Sequence, residues 1–235
     1  MNFHIITLFP EVIDEYTHAS VLGRAQKEKK ISVKTYQLRD FVRNNKWGKV
    51  DERPYGGGPG MVLQAEPIIH AVKKIQKKIN AHLRKQKTSS YQNAKKKFGR
   101  VKIIVTAAGG KSLTNLYAKK LSRHKNIIII CGRYEGIDAR VKKILKAEEI
   151  SIGPYILTGG EIPALAIMDA TARQLPGVLG KFESVEENRV SSRETYTRPE
   201  VIACEGYIYR VPKILLSGDR GKIEAWKLKR RHPLR

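Results

Sequence analysis

Cysteine is almost missing from this 235-residue chain, which holds only Cys131 and Cys204. Two thiols so far apart give no disulfide framework and no zinc pattern, and they suit a reducing compartment. The six histidines (His4, His18, His70, His82, His124 and His232) are scattered, with no metal-ligand or Ser-His spacing, so no metal is expected. No run approaches the ~18 apolar residues of a membrane span. The start, Met1 to Pro10, lacks the basic n-region of a signal peptide, and a cytoplasmic protein is expected. Acidic residues are also scarce: 22 Asp and Glu stand against 46 Lys and Arg, a formal charge of +24. Such a surface attracts polyanions, and nucleic acid is the commonest. With 41% hydrophobic residues the chain still builds a core, which excludes a disordered basic protein.

Two nucleotide motifs are missing as well. In Tyr55-Gly56-Gly57-Gly58-Pro59-Gly60-Met61 the third position of a dinucleotide fingerprint is Met61, and no strand precedes it. In Gly109-Gly110-Lys111-Ser112 the first glycine of a P-loop falls on Val105. The glycines at 56–60 imply unusual backbone dihedrals or close packing.

What is present is one plan used three times. Ile127 to Ile130, four β-branched residues in a row, fit a strand buried on both faces of a parallel sheet. The run breaks at Cys131-Gly132, passes Arg133, Tyr134, Glu135 and Gly136, and enters a helical pattern from Asp138 to Lys146. Val101 to Val105 ends in Thr106-Ala107-Ala108-Gly109-Gly110-Lys111, with Ser112 or Thr114 able to cap the next helix. Ile150 to Gly160 leads into an apolar helix from Glu161 to about Leu175, stopped by Pro176-Gly177. In α/β sheets ligands bind beyond the carboxyl ends of the strands, so these three loops are expected to converge on one ligand. Cys131 reads as a small hydrophobe ending its strand.

The remaining pattern fits around this centre. Phe3 to Phe9 and Ile31 to Leu38 read as strands, Glu11 to Lys29 as one amphipathic helix, and Phe41 to Arg53 as a loop. Glu66 to Ala81 is a helix with Pro67 at its start. From Lys73 to Arg100 the chain is crowded with Lys and Arg, and its later part reads as a mobile basic loop, either a solvated insertion or an arm facing RNA. Asp169 and Arg173, four apart on one helix, read by themselves as an intrahelical ion pair. Lys181 to Glu194 lacks periodicity and reads as a linker, followed by a small piece with a helix near Lys222 to Lys229 and a basic tail.

Several blocks together resemble the bacterial tRNA (guanine-N1)-methyltransferases. They are Asp51 to Met61, Cys131 to Asp138, Ser151 to Pro163, Leu175 to Gly180 and Tyr196 to Glu200, all in the family's order and spread over most of the chain. The resemblance implies a SPOUT-type α/β fold, a parallel sheet with a deep trefoil knot, in a homodimer. It implies a knotted domain over 1–180, a flexible linker over 181–195, and a small, mostly helical, shortened tRNA-contacting domain over 196–235. It implies S-adenosylmethionine as methyl donor, tRNA as partner rather than DNA, and the guanosine 3′ of the anticodon as target. Carried onto this sequence, Thr106, Ala107, Ala108, Gly109, Gly132, Tyr134, Glu135, Gly136 and Ile152, Gly153, Pro154, Tyr155, Ile156, Leu157, Thr158, Gly159 and Gly160 line the donor pocket. The resemblance has Arg173 assist the target base; Asp169 is read here as its orienting partner, and Lys and Arg of 73–100, Arg198 and the tail are expected to meet phosphates.

Guanine N1 carries a proton and becomes a nucleophile only when a base removes it, while a cation stabilises charge on O6. The family's base is a linker aspartate, but here an ungapped reading from Gly180 places Asn188 there. Asn cannot accept the proton, so Glu187 is the first candidate, Glu186 the second and Glu194 a distant third. Pro154 and Ala108 replace the family's usual Asp and Pro. Methyl transfer needs no metal, and any magnesium stimulation is not legible in the sequence. The competing readings are a knotted ribose 2′-O-methyltransferase and an RNA-binding protein that has lost catalysis.

Overall fold

The four isoleucines at 127–130 are fully buried. They form β6 (Asn126–Ile130) at the centre of a five-stranded parallel sheet. In this computed structural model the described residues are 1–43, 48–85, 101–179 and 194–230, with side chains described to 82 in the second stretch. The other strands of the sheet are β1 (Asn2–Thr7), β2 (Ser32–Gln37), β5 (Lys102–Ser112) and β7 (Glu148–Ser151), in the order β2-β1-β6-β5-β7. Alternation along β6 sends Ile127 and Ile129 to one face and Ile128 and Ile130 to the other. Each face meets its own core.

The first core joins Ile127 and Ile129 to Phe3, Ile5, Ile13, Leu22, Ile167 and Met168. It holds α1 (Pro10–His18), α2 (Ser20–Lys27), α4 (Asn115–Leu121) and α6 (Glu161–Ala172) against the sheet. The second joins Ile128 and Ile130 to Ile6, Leu38, Ile68, Val72, Ile75 and Val141. It seats α3 (Ala65–Lys85) and α5 (Arg140–Leu145). Burying one Ile or Leu contributes roughly 1.5–3 kcal/mol, so a β-branched run with both faces covered anchors the fold. A small antiparallel pair, β3 (Asp51–Glu52) and β4 (Val62–Leu63), frames the glycine-rich loop.

Three local readings of the sequence are corrected. The single helix expected over 11–29 is two helices. Ala19 is extended and Ser20 is left-handed, at φ +47°. Gly23 makes the tight corner feasible, because a Cβ there would lie 2.1 Å from the carbonyl oxygen of His18. The expected loop over 106–111 is instead a bulged continuation of β5. Its pairing with β7 breaks after Thr106↔Ile150 and resumes at Lys111↔Ile150, with Gly110 stacked on the backbone of Glu149 and Ile150. The loop expected over 41–53 contains β3 and follows a 3₁₀ turn, Leu38–Phe41. The Thr114 cap is as expected: its hydroxyl oxygen accepts from the Tyr117 amide at 3.1 Å.

The chain divides into two compact units, Met1–Val178 and Leu179–Arg235. The described part of the second holds the expected helix as α8 (Arg220–Lys229), a short α7 (Lys213–Leu216) and a hairpin, β8 (Val201–Cys204) with β9 (Tyr207–Arg210). The hairpin was not anticipated. Its turn, Glu205-Gly206, has both residues at positive φ, as a two-residue hairpin of this twist requires.

Candidate active site

Beyond the carboxyl ends of β6 and β7, beside the bulge of β5, lies a cavity of about 450 Å³. Thr106, Ala107 and Ala108 come from β5, Gly132 to Ile137 from the loop after β6, and Ile152, Gly153 and Tyr155 to Gly160 from the loop after β7. Of the expected donor-pocket residues only Gly109 and Pro154 are not among its lining. Val105, Glu149, Ile150, Ser151 and Pro163 complete the walls.

Hydrogen bonds chain the three loops together. The Gly160 amide donates to the Gly132 carbonyl at 2.8 Å. The Gly132 amide donates to Thr106 Oγ1 at 3.1 Å, and that hydroxyl donates to the Ile130 carbonyl at 3.3 Å. Gly160 is the tightest point, because a Cβ there would fall 2.1 Å from Thr106 Oγ1 and 2.5 Å from the Gly132 nitrogen. Glycine is needed here for closeness.

A buried ion pair reinforces the same junction. Glu161 is 3% exposed, accepts from Thr7 Oγ1 at 2.7 Å and faces the Arg133 guanidinium at 3.2 Å. Arg133 also donates to the Thr158 carbonyl at 3.3 Å, and its guanidinium carbon sits 4.3 Å from the Phe9 ring centre. Neither Thr7 nor Glu161 stood out in the sequence. The only signal was a carboxylate in the first turn of an apolar helix, which ordinary helix-end electrostatics also accounts for.

The glycine-rich stretch at 56–60 is exposed and touches this site only at its Gly60–Met61 end. Gly56, Gly57, Gly58 and Gly60 all have positive φ, as their clustering implied. The Glu135 amide donates to the Met61 carbonyl at 3.0 Å, and a Cβ on Gly60 would meet the Glu135 carboxylate at 2.6 Å. Tyr134 is held left-handed at φ +58°. Burial first, then a hydrogen bond with Asp51, raises its phenol above the ordinary value. Cys131 is fully enclosed, and burial pushes its thiol well up, so it is the expected small hydrophobe and no nucleophile.

The family model for tRNA (Guanine-1)-methyltransferase TrmD matches residues 1–233. The chain belongs to this family. A tRNA (guanine-N(1)-)-methyltransferase of Desulforamulus reducens is 41% identical over 97% of this chain and 82% of its own length. One from Clostridioides difficile is 40% identical over 97% of this chain and 90% of its own. The crystal structure of a tRNA (m1G37) methyltransferase from Aquifex aeolicus superposes with a TM-score of 0.71 at 38% identity. That likeness covers all of this chain and 89% of that one. The fold is thus of the SPOUT class, as expected from the motifs.

Within this tRNA (guanine-1)-methyltransferase framework the proposed chemical residues fall in three places. Arg173 caps the carboxyl end of α6, outside the cavity lining, with its Nε buried and without a hydrogen-bond partner among the described residues. Asp169 does not form the ion pair read from the sequence, and no Arg173–Asp169 bridge exists among the described residues. Its carboxylate accepts instead from the Tyr16 hydroxyl at 2.7 Å, across to α1, and this bond raises the Tyr16 phenol. Glu186, Glu187 and Asn188 lie outside the described residues, as do 86–100 and 231–235. Glu194 accepts from Tyr196 at 2.9 Å and Arg230 at 2.7 Å, and these partners, Tyr196 first, lower its carboxyl. Among the described residues no three His, Cys, Asp or Glu side chains are grouped to hold a metal ion.

Proposed function

We propose that the cavity at the β5 bulge and the ends of β6 and β7 binds S-adenosylmethionine and that the chain methylates N1 of the guanosine at position 37 of tRNA. The carrying observation is the three-loop cavity in a chain of this family. Its size lies within the roughly 300–1,000 Å³ of small-molecule pockets. Glycine-rich walls offer backbone donors and acceptors to a purine edge, and the Glu135 carboxylate on the lining favours a cationic ligand. Bound there, the donor supplies an electrophilic methyl group on a positive sulfonium. Its charge disappears on transfer, so the protein needs no cation beside the sulfur.

The work left for the chain is to make guanine N1 nucleophilic. Glu187, with Glu186 next, takes the N1 proton as the N1–methyl bond forms and the methyl–sulfur bond breaks. Arg173 stabilises the negative charge that grows on O6. The unspent Nε–H of Arg173 supports this role, since a buried donor without a partner in the free protein gains one when the base arrives. Asp169 acts on Arg173 only indirectly, by fixing α6 to Tyr16.

A homodimer and the family's knotted threading are part of the same reading. Phe9, Val12 and Tyr16 around α1 and Ile162 on the neighbouring α6 are all exposed, an apolar patch that a second copy would cover. No helix among the described residues is long and apolar enough to cross a membrane, and a tRNA substrate fits the cytoplasm.

Single-turnover methylation of a tRNA with guanosine 3′ of the anticodon tests the proposal, comparing wild type with Glu187→Gln. Formation of 1-methylguanosine by wild type, lost in Glu187→Gln while donor and tRNA still bind, is the expected result. A methyl group on ribose, or bound donor without transfer by wild type, would overturn it. Full activity of Glu187→Gln moves the base to Glu186.

A further inference from the structure

A second cleft, of about 200 Å³, lies at the carboxyl end of β2, between the 3₁₀ turn Leu38–Phe41 and α3. Thr35, Tyr36, Gln37, Asp40 and Phe41 form one wall, and Lys74, Ile75 and Lys78 form the other. Lys74 Nζ lies 5.3 Å from the Phe41 ring centre and Lys78 Nζ 5.9 Å from that of Tyr36. The two rings are themselves 6.4 Å apart, and the Tyr36 hydroxyl is fixed by His4 Nδ1 at 3.1 Å.

We propose that this cleft is a seat for the RNA phosphodiester backbone, with Lys74 and Lys78 as its two phosphate ligands. Four observations carry it. The two ammonium groups are four residues apart on one helix face, where like charges repel. Neither forms an ion pair with a described carboxylate. Aromatic faces hold both in place, so the cations are positioned rather than swept through water. Finally, α3 carries Lys73, Lys74, Lys77 and Lys78 with Glu66 as its only acid. A pair of fixed, repelling, unneutralised cations beside a concavity is arranged for an anion with two charged groups.

The other polar walls do not compete for that anion. Thr35 Oγ1 is already bonded to Asp14, and the Gln37 amide spans the Leu8 carbonyl and the Arg39 amide. Asp40 contributes one carboxylate against two ammonium groups, which leaves the cleft cationic. The choice of RNA as occupant rests on the proposed tRNA substrate. All five strands are parallel, so this cleft and the donor cavity open at the same end of the sheet. Three strand spacings separate β2 from β5, ~15 Å, a distance that one RNA stem bridges.

The test is the salt dependence of tRNA affinity in Lys74→Gln/Lys78→Gln, beside Lys119→Gln/Lys120→Gln. The second pair is exposed on α4 and removes the same charge elsewhere. Each lost phosphate contact flattens the plot of log affinity against log salt by about 0.7–0.9, so the first variant should lose about 1.5 in slope. Its KM for tRNA should rise about tenfold, with kcat at saturating tRNA and S-adenosylmethionine affinity unchanged. The Lys119/Lys120 variant should move little. Equal losses in both variants would reduce the effect to the overall field of the protein, and an unchanged slope in the first would remove the site. If wild type binds tRNA without methylating it, and the Lys74/Lys78 variant still loses that binding, the seat stands and the methylation reading falls.

Discussion

The Arg133 guanidinium lies 3.2 Å from the Glu161 carboxylate, and that contact ties the loop after β6 to the first turn of α6. Both elements bound the same cavity, so an ion pair without an obvious chemical role sets the shape of the pocket.

Removing one partner leaves the other charge in a poorly solvated place. Glu161 is almost wholly enclosed, while a quarter of the Arg133 side chain reaches water. Arg133→Met should therefore cost about 3 kcal/mol, near the low end for breaking a buried pair. Urea unfolding gives the stability, and calorimetry should show at least tenfold weaker S-adenosylmethionine binding. The double variant Arg133→Met/Glu161→Met should recover much of the stability without recovering donor affinity.

Gly160→Ala places a methyl group inside the contact distance of Thr106 Oγ1, the Gly132 nitrogen and the Cys131 Cα. Two of these are backbone atoms, so the loops must separate. Donor affinity should fall more than a hundredfold, with a stability loss of about 1–3 kcal/mol from overpacking. Gly109→Ala, where a Cβ meets nothing within 4 Å, should leave both nearly unchanged.

Arg173→Ala should lower kcat by a hundredfold to a thousandfold, the loss typical when one donor to a developing oxyanion is removed. S-adenosylmethionine affinity should stay within threefold of wild type, because Arg173 is outside the cavity lining. Asp169→Asn should have a far smaller effect on kcat, since Asp169 holds Tyr16 rather than Arg173. Single-turnover rates separate these from effects on product release.

His4 is enclosed within the sheet, and burial first lowers its imidazole from 6.5, against an opposing hydrogen bond with Asn126, with Lys34 adding to the lowering. Well above pH 6.5 both folded and unfolded chains carry it neutral, and its contribution is constant. As pH falls below that value the unfolded chain takes up the proton first, so stability declines until the folded pKa is reached. Thermal melts between pH 7.5 and 5 should show a steeper decline for wild type than for His4→Asn.

Much of this arrangement is legible in the sequence, for identifiable reasons. Four isoleucines in a row have one sensible home, a strand covered on both faces, and three such strands ending in small residues locate the cavity. The Glu161 network was hidden because its partners, Thr7 and Arg133, are brought to it by the sheet and not by sequence spacing. The Asp169–Arg173 pair failed because a tertiary partner, Tyr16, outcompeted a helical neighbour. The β8–β9 hairpin was legible in principle, since β-branched and aromatic residues flank Glu205-Gly206, but its first residue of positive φ is not a glycine.

The loop-to-loop hydrogen bonds also impose an order on synthesis. Thr7 and Glu161 are 154 residues apart, yet both are required at the junction where Gly132 and Gly160 meet. A ribosome that has translated β1, β5 and β6 has made most of the sheet and none of a usable pocket. The walls of the cavity are therefore complete only once the loop after β7 and the first turn of α6 have joined the rest.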